Sequence, residues 1–170
     1  MKTFALGLCL ISISPTHAGD LSAHPLLKHY IGKWTAEGTL KGKDGNDVVV
    51  SETYEGKVDG ENAFLIEGSR TVGADTQAFK WNLTYNAATD TFEAALVGQD
   101  GSSTRFEGHA SAVTRSLELK AVTGSGQAGI SVVDTFTKEG NWDEFESKVV
   151  LTGDDGTVNL EGTLIHKREK

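Results

Sequence analysis

The near absence of proline constrains the fold of this chain more than any other sequence feature. Proline occurs only at Pro15 and Pro25, so every residue from 26 to 170 has the amide hydrogen that a β-ladder needs. Apolar and polar residues alternate through this stretch, most clearly from Phe79 to Tyr85, and short polar turns such as Asp100-Gly101 separate the alternating segments. The pattern predicts about ten strands of about eight residues each.

The predicted elements follow one another closely. A short helix is expected over residues 24–31, with Ser22 as its N-cap and Gly32 as its stop. The predicted strands cover residues 33–40, 48–58, 64–71, 79–85, 91–98, 104–110, 116–122, 130–137, 142–151 and 157–166. Links this short make consecutive strands antiparallel neighbours, because a parallel crossover needs a dozen residues or more.

Strands with a single apolar face form either a sandwich or a closed barrel. We favour an all-β, up-and-down antiparallel β-barrel, because closure removes both sheet edges in a chain with no proline to protect them. In a barrel of eight strands, side chains just fill the interior. A barrel of about ten strands is wider. Glycines at inward positions, such as Gly38, Gly68 and Gly162, are expected to leave further interior volume unfilled. The sequence therefore predicts an internal cavity.

The first eighteen residues are typical of a secretory signal sequence. Lys2 precedes an apolar run over residues 4–13, and Thr16 and Ala18 place small residues where a signal peptidase cleaves. The run is too short for a membrane-spanning helix, which needs about 20 residues, and no later stretch is longer. We therefore predict a signal peptide over residues 1–18, one domain over residues 19–170, and a periplasmic or secreted location.

Charge and cysteine content exclude several classes of function. Sixteen basic residues stand against 24 acidic ones, a formal net charge of −8, which argues against nucleic-acid binding. Cleavage after Ala18 removes Cys9, the only cysteine, and with it disulfides, thiol catalysis and cysteine-based zinc sites. The expected product is a monomer or a weak homodimer.

The segment Gly32-Lys33-Trp34, placed after a short helix and at the start of the first strand, resembles the G-x-W signature of the calycins, the superfamily of lipocalins, fatty-acid-binding proteins and avidins. The longer stretch over residues 24–38 resembles the start of bacterial secreted lipocalin-like proteins of unknown function and, more distantly, of nitrobindins. The resemblance implies a barrel in which Trp34 closes one end and Lys167 or Arg168 packs across it as a cation–π partner.

The nitrobindin resemblance raises haem as an alternative ligand, since that family binds haem through a histidine on its closing strands. His166 has the same parity as Leu160 and Leu164, so it should point inward or lie at the rim. It is either an axial ligand or a hydrogen-bonded residue near Trp34. The sequence departs from the family's histidine pair, with Glu161 and Thr163 in its place. Apart from this possibility of haem, the sequence predicts no cofactor.

One carboxylate falls on the predicted inner face. Asp134 interrupts the inward series of Ile130, Val132 and Phe136, and a carboxylate inside an apolar wall must be paired, neutralised or hydrated. Arg70 is the expected counter-charge, and Glu52 has the parity to join it. Such a group would either orient the polar head of a ligand or form a structural ion pair.

These patterns favour a carrier that holds a small, largely apolar molecule inside the barrel, without catalysis and without a metal. The predicted ligand-binding residues are Tyr54, Arg70, Phe79, Trp81, Tyr85, Asp134 and His166. The alternatives are a small isomerase or hydrolase using Asp134, Arg70 or His166, a haem-binding barrel, and a protein-binding barrel with a packed interior and an apolar outer patch.

Overall fold

The computed structural model describes residues 24–60, 63–86, 89–124 and 128–170. One 3-10 helix and ten strands are formed in these residues. The helix is Leu27–Tyr30, and the strands are β1 (Gly32–Gly42), β2 (Asp47–Asp59), β3 (Ala63–Val72), β4 (Asp75–Asn86), β5 (Thr91–Gly98), β6 (Ser103–Ser111), β7 (Ser116–Ala121), β8 (Gly129–Thr135), β9 (Glu144–Thr152) and β10 (Val158–Arg168). The predicted signal peptide over residues 1–18 and the predicted N-cap Ser22 lie outside the described residues. No helix in the described ranges is long and apolar enough to cross a membrane.

The ten strands form one closed barrel in which every strand pairs antiparallel with its neighbours in the chain. The barrel closes between β1 and β10, where Trp34 lies opposite Arg168 and Gly42 lies opposite Leu160. The prediction of an all-β, up-and-down antiparallel barrel is therefore confirmed.

The predicted helix is shorter in the structure, where it is a single 3-10 turn. The His24 ring satisfies the amides at its start, because Nδ1 accepts hydrogen bonds from the amides of Leu26 and Leu27 at 3.2 and 3.1 Å. Gly32 ends the turn and begins β1 with a φ of 113°, a conformation that favours glycine.

Several strand boundaries differ from the prediction. β4 begins four residues earlier, at Asp75, while β8 ends at Thr135 and β9 begins at Glu144. Just past β8, the Phe136 amide still donates to the Arg115 carbonyl at 3.0 Å, and the Phe136 ring packs against the 3-10 helix with its centroid 5.3 Å from that of Tyr30.

The inward glycines have a different role from the one expected. A Cβ at Gly38 would lie 2.2 Å from the carbonyl oxygen of Thr163 on β10, and one at Gly68 would lie 2.1 Å from that of Thr53 on β2. Real Cβ atoms do not approach so closely, so these glycines allow neighbouring strands to coil tightly. They shape the wall, and the cavity owes its volume to other positions.

One end of the barrel, here called the closed end, is sealed by the 3-10 helix, where β1 begins and β10 ends. Leu26, Leu27 and Tyr30 are each at most 2% exposed there. Trp34 is fully buried, and its Nε1 donates to the Tyr30 carbonyl at 3.1 Å. This arrangement agrees with the expectation that Trp34 closes one barrel end.

Arg168 holds the closed end together. Its guanidinium carbon lies 4.4 Å from the centroid of the Trp34 ring, and its nitrogens donate to backbone carbonyls of the capping segment, including His29 at 2.7 Å. A further bond reaches the Asp143 carboxylate at 2.8 Å. Of the two predicted cation–π partners, Arg168 is the one used, because it lies directly opposite Trp34 in the β1–β10 register while Lys167 has the opposite parity.

The other end, here called the open end, is formed by the hairpins that join β1 to β2, β3 to β4, β5 to β6, β7 to β8 and β9 to β10. Its inward side chains are aliphatic and only partly buried. They are Val48, Val72, Leu96, Ile130 and Leu160. No helix covers this end in the described residues.

Candidate functional site: an internal cavity with a polar floor

The interior of the barrel holds a cavity of about 290 Å³, to which every strand contributes. Its walls are aliphatic and aromatic, with Trp81 and Phe79 on β4 and Leu117 and Leu119 on β7 among them. The volume is at the lower limit of ordinary small-molecule pockets, which start at about 300 Å³. An apolar cavity of this size fits one small, largely hydrophobic molecule.

Six of the seven predicted site residues line this cavity. They are Tyr54, Arg70, Phe79, Trp81, Asp134 and His166. Tyr85 does not. Its ring packs on Phe92 with centroids 4.9 Å apart, and its hydroxyl donates to Asp90 at 2.8 Å. Tyr85 has the inward parity of β4, but it lies past Leu83 at the closed end, where the segment before the 3-10 helix covers it.

Arg70 and Glu52 form an ion pair inside the barrel. Arg70 Nε lies 2.5 Å from Glu52 Oε1, and the Glu52 side chain is only 6% exposed. The guanidinium also lies 4.9 Å from the centroid of the Phe79 ring. The structure therefore pairs Arg70 with Glu52 and not with Asp134, because Glu52 lies directly opposite Arg70 in the β2–β3 register while Asp134 is on β8.

Asp134 lies near the closed end of the cavity and faces Ser147 across the β8–β9 pairing. The Ser147 hydroxyl donates a hydrogen bond to Asp134 Oδ1. Burial raises the pKa of Asp134 to about 7, and the negative charge of Glu52 acts in the same direction. Ser147 and Tyr30 oppose this increase without reversing it. None of the groups that act on Asp134 is a cation.

The Tyr30 hydroxyl lies beside Asp134 at the bottom of the cavity. The two groups interact, and burial together with the charge of Asp134 raises the pKa of Tyr30 well above its usual value. The hydroxyl is nevertheless buried without a hydrogen bond of normal geometry among the described residues. We call Tyr30, Asp134 and Ser147 the polar floor of the cavity.

His166 is buried next to this floor. Its Nδ1 lies 2.7 Å from the Tyr54 hydroxyl, and its ring stacks on Phe145 with centroids 4.2 Å apart. Burial lowers the pKa of His166 to about 3, and the positive charge of Arg70 acts in the same direction. The imidazole is therefore neutral at physiological pH. The Tyr54 hydroxyl has no other acceptor in the described residues, so Tyr54 is assigned as the donor to Nδ1 and the ring hydrogen to Nε2.

The two ring nitrogens of His166 differ in their contacts. Nδ1 is engaged by Tyr54, whereas Nε2 is buried without a hydrogen-bond partner among the described residues. The residues that the structure describes contain no cluster of three or more histidine, cysteine, aspartate or glutamate side chains that could hold a metal ion.

Sequence reasoning missed Ser147 and the role of Tyr30. Ser147 has the parity of Phe145 and Val149 on β9, so alternation alone marks it as an inward polar residue. Tyr30 lies within the helix predicted over residues 24–31, where no local pattern gives its hydroxyl a role. The Tyr30 hydroxyl reaches Asp134 because of the way the helix crosses the end of the barrel. No local sequence pattern indicates that crossing.

No protein-family model and no curated protein matches the sequence. Solved structures that share its architecture include two with TM-scores above 0.6. The Rv2717c protein of M. tuberculosis matches with a TM-score of 0.66 and 13% identity, covering 87% of this chain and 99% of the other. The S-type phycobiliprotein lyase CPES of Guillardia theta matches with a TM-score of 0.61 and 9% identity, covering 85% and 90%. The fold they share with this chain is a closed antiparallel β-barrel, which here has ten strands. At these identities the similarity shows the fold alone.

Proposed function

We propose that this chain is an exported, lipocalin-like carrier that holds one small, largely apolar molecule in its cavity and does not act as a catalyst. The observation that supports this most strongly is the cavity itself, about 290 Å³ enclosed by hydrophobic side chains from all ten strands. A protein-binding barrel would have a packed interior instead. The open end supplies the entrance, and the closed end supplies a rigid base.

The chemistry of the walls gives each lining residue a role in this proposal. Phe79, Trp81 and the ring of Tyr54 provide broad apolar contact with the ligand. The polar groups are few and lie toward one side and the floor, as in pockets that orient a hydrophobic molecule by a single polar end. Asp134 and Arg70 are the charged groups that would set this orientation.

The direct test is to fill the cavity. In Val132→Trp a large ring enters the cavity from β8, whereas in Val133→Trp the same ring lies on the outer face of the same strand. Titration with the neutral fluorescent probe phenylnaphthylamine should show one site per chain in the wild type and in Val133→Trp. Val132→Trp should bind at least tenfold more weakly. No probe uptake by the wild type, or equal binding by both variants, would contradict the carrier function.

The proposal includes export to the periplasm or the medium, with removal of residues 1–18 and a monomeric or weakly dimeric product without a resident cofactor. N-terminal sequencing of the protein from its native cells should begin at Gly19. Haemin should give no absorbance band that depends on His166. A band lost in His166→Ala would instead support the haem-binding alternative.

A second candidate function, a small hydrolase or isomerase, is favoured by one observation. Asp134 is a cavity-lining carboxyl whose pKa burial raises to about 7, a value suited to a general base or acid. The two functions differ in what happens to the bound molecule. A carrier returns the recovered ligand unchanged after incubation, whereas an enzyme converts it and loses that conversion in Asp134→Asn. Mass spectrometry of the released molecule distinguishes these outcomes.

A further inference from the structure

The polar floor has a charge that the protein itself leaves unbalanced. The other two charged groups lining the cavity, Arg70 and Glu52, neutralise each other through their ion pair. Asp134 forms no ion pair among the described residues, and the nearby charge that acts on it is the negative charge of Glu52. The electrostatic potential at the floor is therefore negative whenever Asp134 is ionised.

The floor also lacks hydrogen bonds. Within the described residues, the Ser147 hydroxyl donates a short hydrogen bond to Asp134 Oδ1, and Tyr30 is the other hydroxyl next to this carboxylate. The Tyr30 hydroxyl, on a residue only 2% exposed, makes no hydrogen bond of normal geometry in this part of the chain. Buried polar groups without partners are unfavourable, so a molecule that reaches the floor is favoured if it supplies hydrogen-bond donors.

These two deficits point to the same ligand chemistry. We propose that the polar end of the ligand is an amine, seated against Asp134 and beside the Tyr30 hydroxyl, with its apolar remainder extending toward the open end. This inference rests on the proposed carrier function and names the class of its ligand. An ammonium group supplies both the missing positive charge and several N–H donors.

Competing headgroups satisfy the floor less well. A carboxylate brings a second negative charge next to Asp134 and donates no hydrogen bond. The guanidinium of Arg70 does not offset this, because Glu52 already neutralises it. A neutral alcohol donates one hydrogen bond but leaves the charge of Asp134 unbalanced. The expected order of affinity is therefore amine, then alcohol, then carboxylate.

Three probes of equal chain length test this order: decylamine, decanol and decanoate. Binding to the wild type at pH 7 is measured by isothermal titration calorimetry and, independently, by the change in tryptophan fluorescence, to which Trp81 in the cavity wall contributes. Decylamine should bind at least tenfold more tightly than decanoate. In Asp134→Asn, which retains the volume of the side chain, decylamine affinity should fall about tenfold while decanol affinity changes little.

Glu118→Gln is the matched control. Glu118 is an exposed residue of β7, so this variant removes one negative charge from the outer surface and tests whether the net charge of the protein attracts the amine. Decylamine should bind Glu118→Gln as it binds the wild type. Tighter binding of decanoate, or an equal loss of decylamine affinity in Glu118→Gln and Asp134→Asn, would overturn the amine assignment alone. Failure of all three probes to bind would overturn the carrier function together with it.

Discussion

The closed and open ends of the barrel are built from the same ten strands with the same inward alternation, yet one end is packed and the other is hollow. At the closed end, several inward side chains are aromatic and at most 2% exposed: Trp34, Phe64, Phe92 and Phe145. At the open end they are valine, leucine and isoleucine, and they remain partly exposed. Alternation therefore decides which face a side chain takes, while side-chain volume and the capping helix decide whether the space is filled.

The difference separates stability from binding. Removing part of a buried side chain forfeits its contacts and leaves a void, whereas a side chain that already borders a cavity has fewer contacts to lose. We therefore expect the closed end to contribute most of the free energy of folding and the open end to tolerate substitution.

Trp34→Ala should have the largest effect. Trp34 is fully buried, and the variant loses its packing, its hydrogen bond to Tyr30 and the cation–π contact with Arg168. The free energy of unfolding, measured by urea denaturation, should fall by about 4 kcal/mol. A loss below about 1 kcal/mol would show that the closed end does not hold the barrel together.

Asp134→Asn should change how stability depends on pH. Since burial raises the pKa of Asp134 to about 7, the folded protein keeps a proton that the unfolded chain has lost above about pH 4. Wild-type stability should therefore be lost as the pH rises from about 4 through 7, by about 3 kcal/mol in total. Asp134→Asn removes this dependence, so its advantage over the wild type should grow across the same interval. A constant difference between the two unfolding curves from pH 4 to 8 would contradict the burial of Asp134.

A pair of identical leucine truncations compares the two ends directly. Leu26→Ala removes a fully buried side chain from the closed end, and Leu160→Ala removes a partly buried one from the open end. The first should lower the free energy of unfolding by about 2 kcal/mol more than the second. Equal losses in urea denaturation would mean that both ends are packed alike.

Arg168→Lys should have the smallest effect of the four. Lysine keeps the charge but loses the planar fork that donates to the capping segment and stacks over Trp34, so we expect a loss of about 1 kcal/mol. Lys167→Ala, one residue away on the outward parity, should change the melting temperature little. A larger effect from Lys167→Ala than from Arg168→Lys would show that Arg168 is not the residue that holds the closed end together.

Much of the fold could be predicted because its signals are local. Alternation and short polar turns located ten strands, and the short links required antiparallel neighbours. The inward position of Asp134 also followed, because parity is a property of one strand. Closure was favoured by the need to protect sheet edges, and the structure confirms it in the pairing of Trp34 with Arg168.

The partners of the polar residues could not be predicted in the same way. Arg70 lies opposite Glu52 in the β2–β3 register. Because these two strands are joined by a short connection, the sequence alone allowed this pair to be predicted. The pairing of Asp134 with Ser147 instead depends on the segment between β8 and β9, which packs Phe136 against the helix. The position of Tyr30 relative to Asp134 depends on the same packing at the closed end.

The most direct test of the hollow, ligand-holding barrel is native mass spectrometry of the protein purified from the cells that make it. The wild-type chain should carry one small molecule, and denaturation should release that molecule. The molecule should be absent from Val132→Trp and present in Val133→Trp. The bare chain mass in every wild-type preparation, together with no uptake of the added neutral probe, would contradict the ligand-holding barrel.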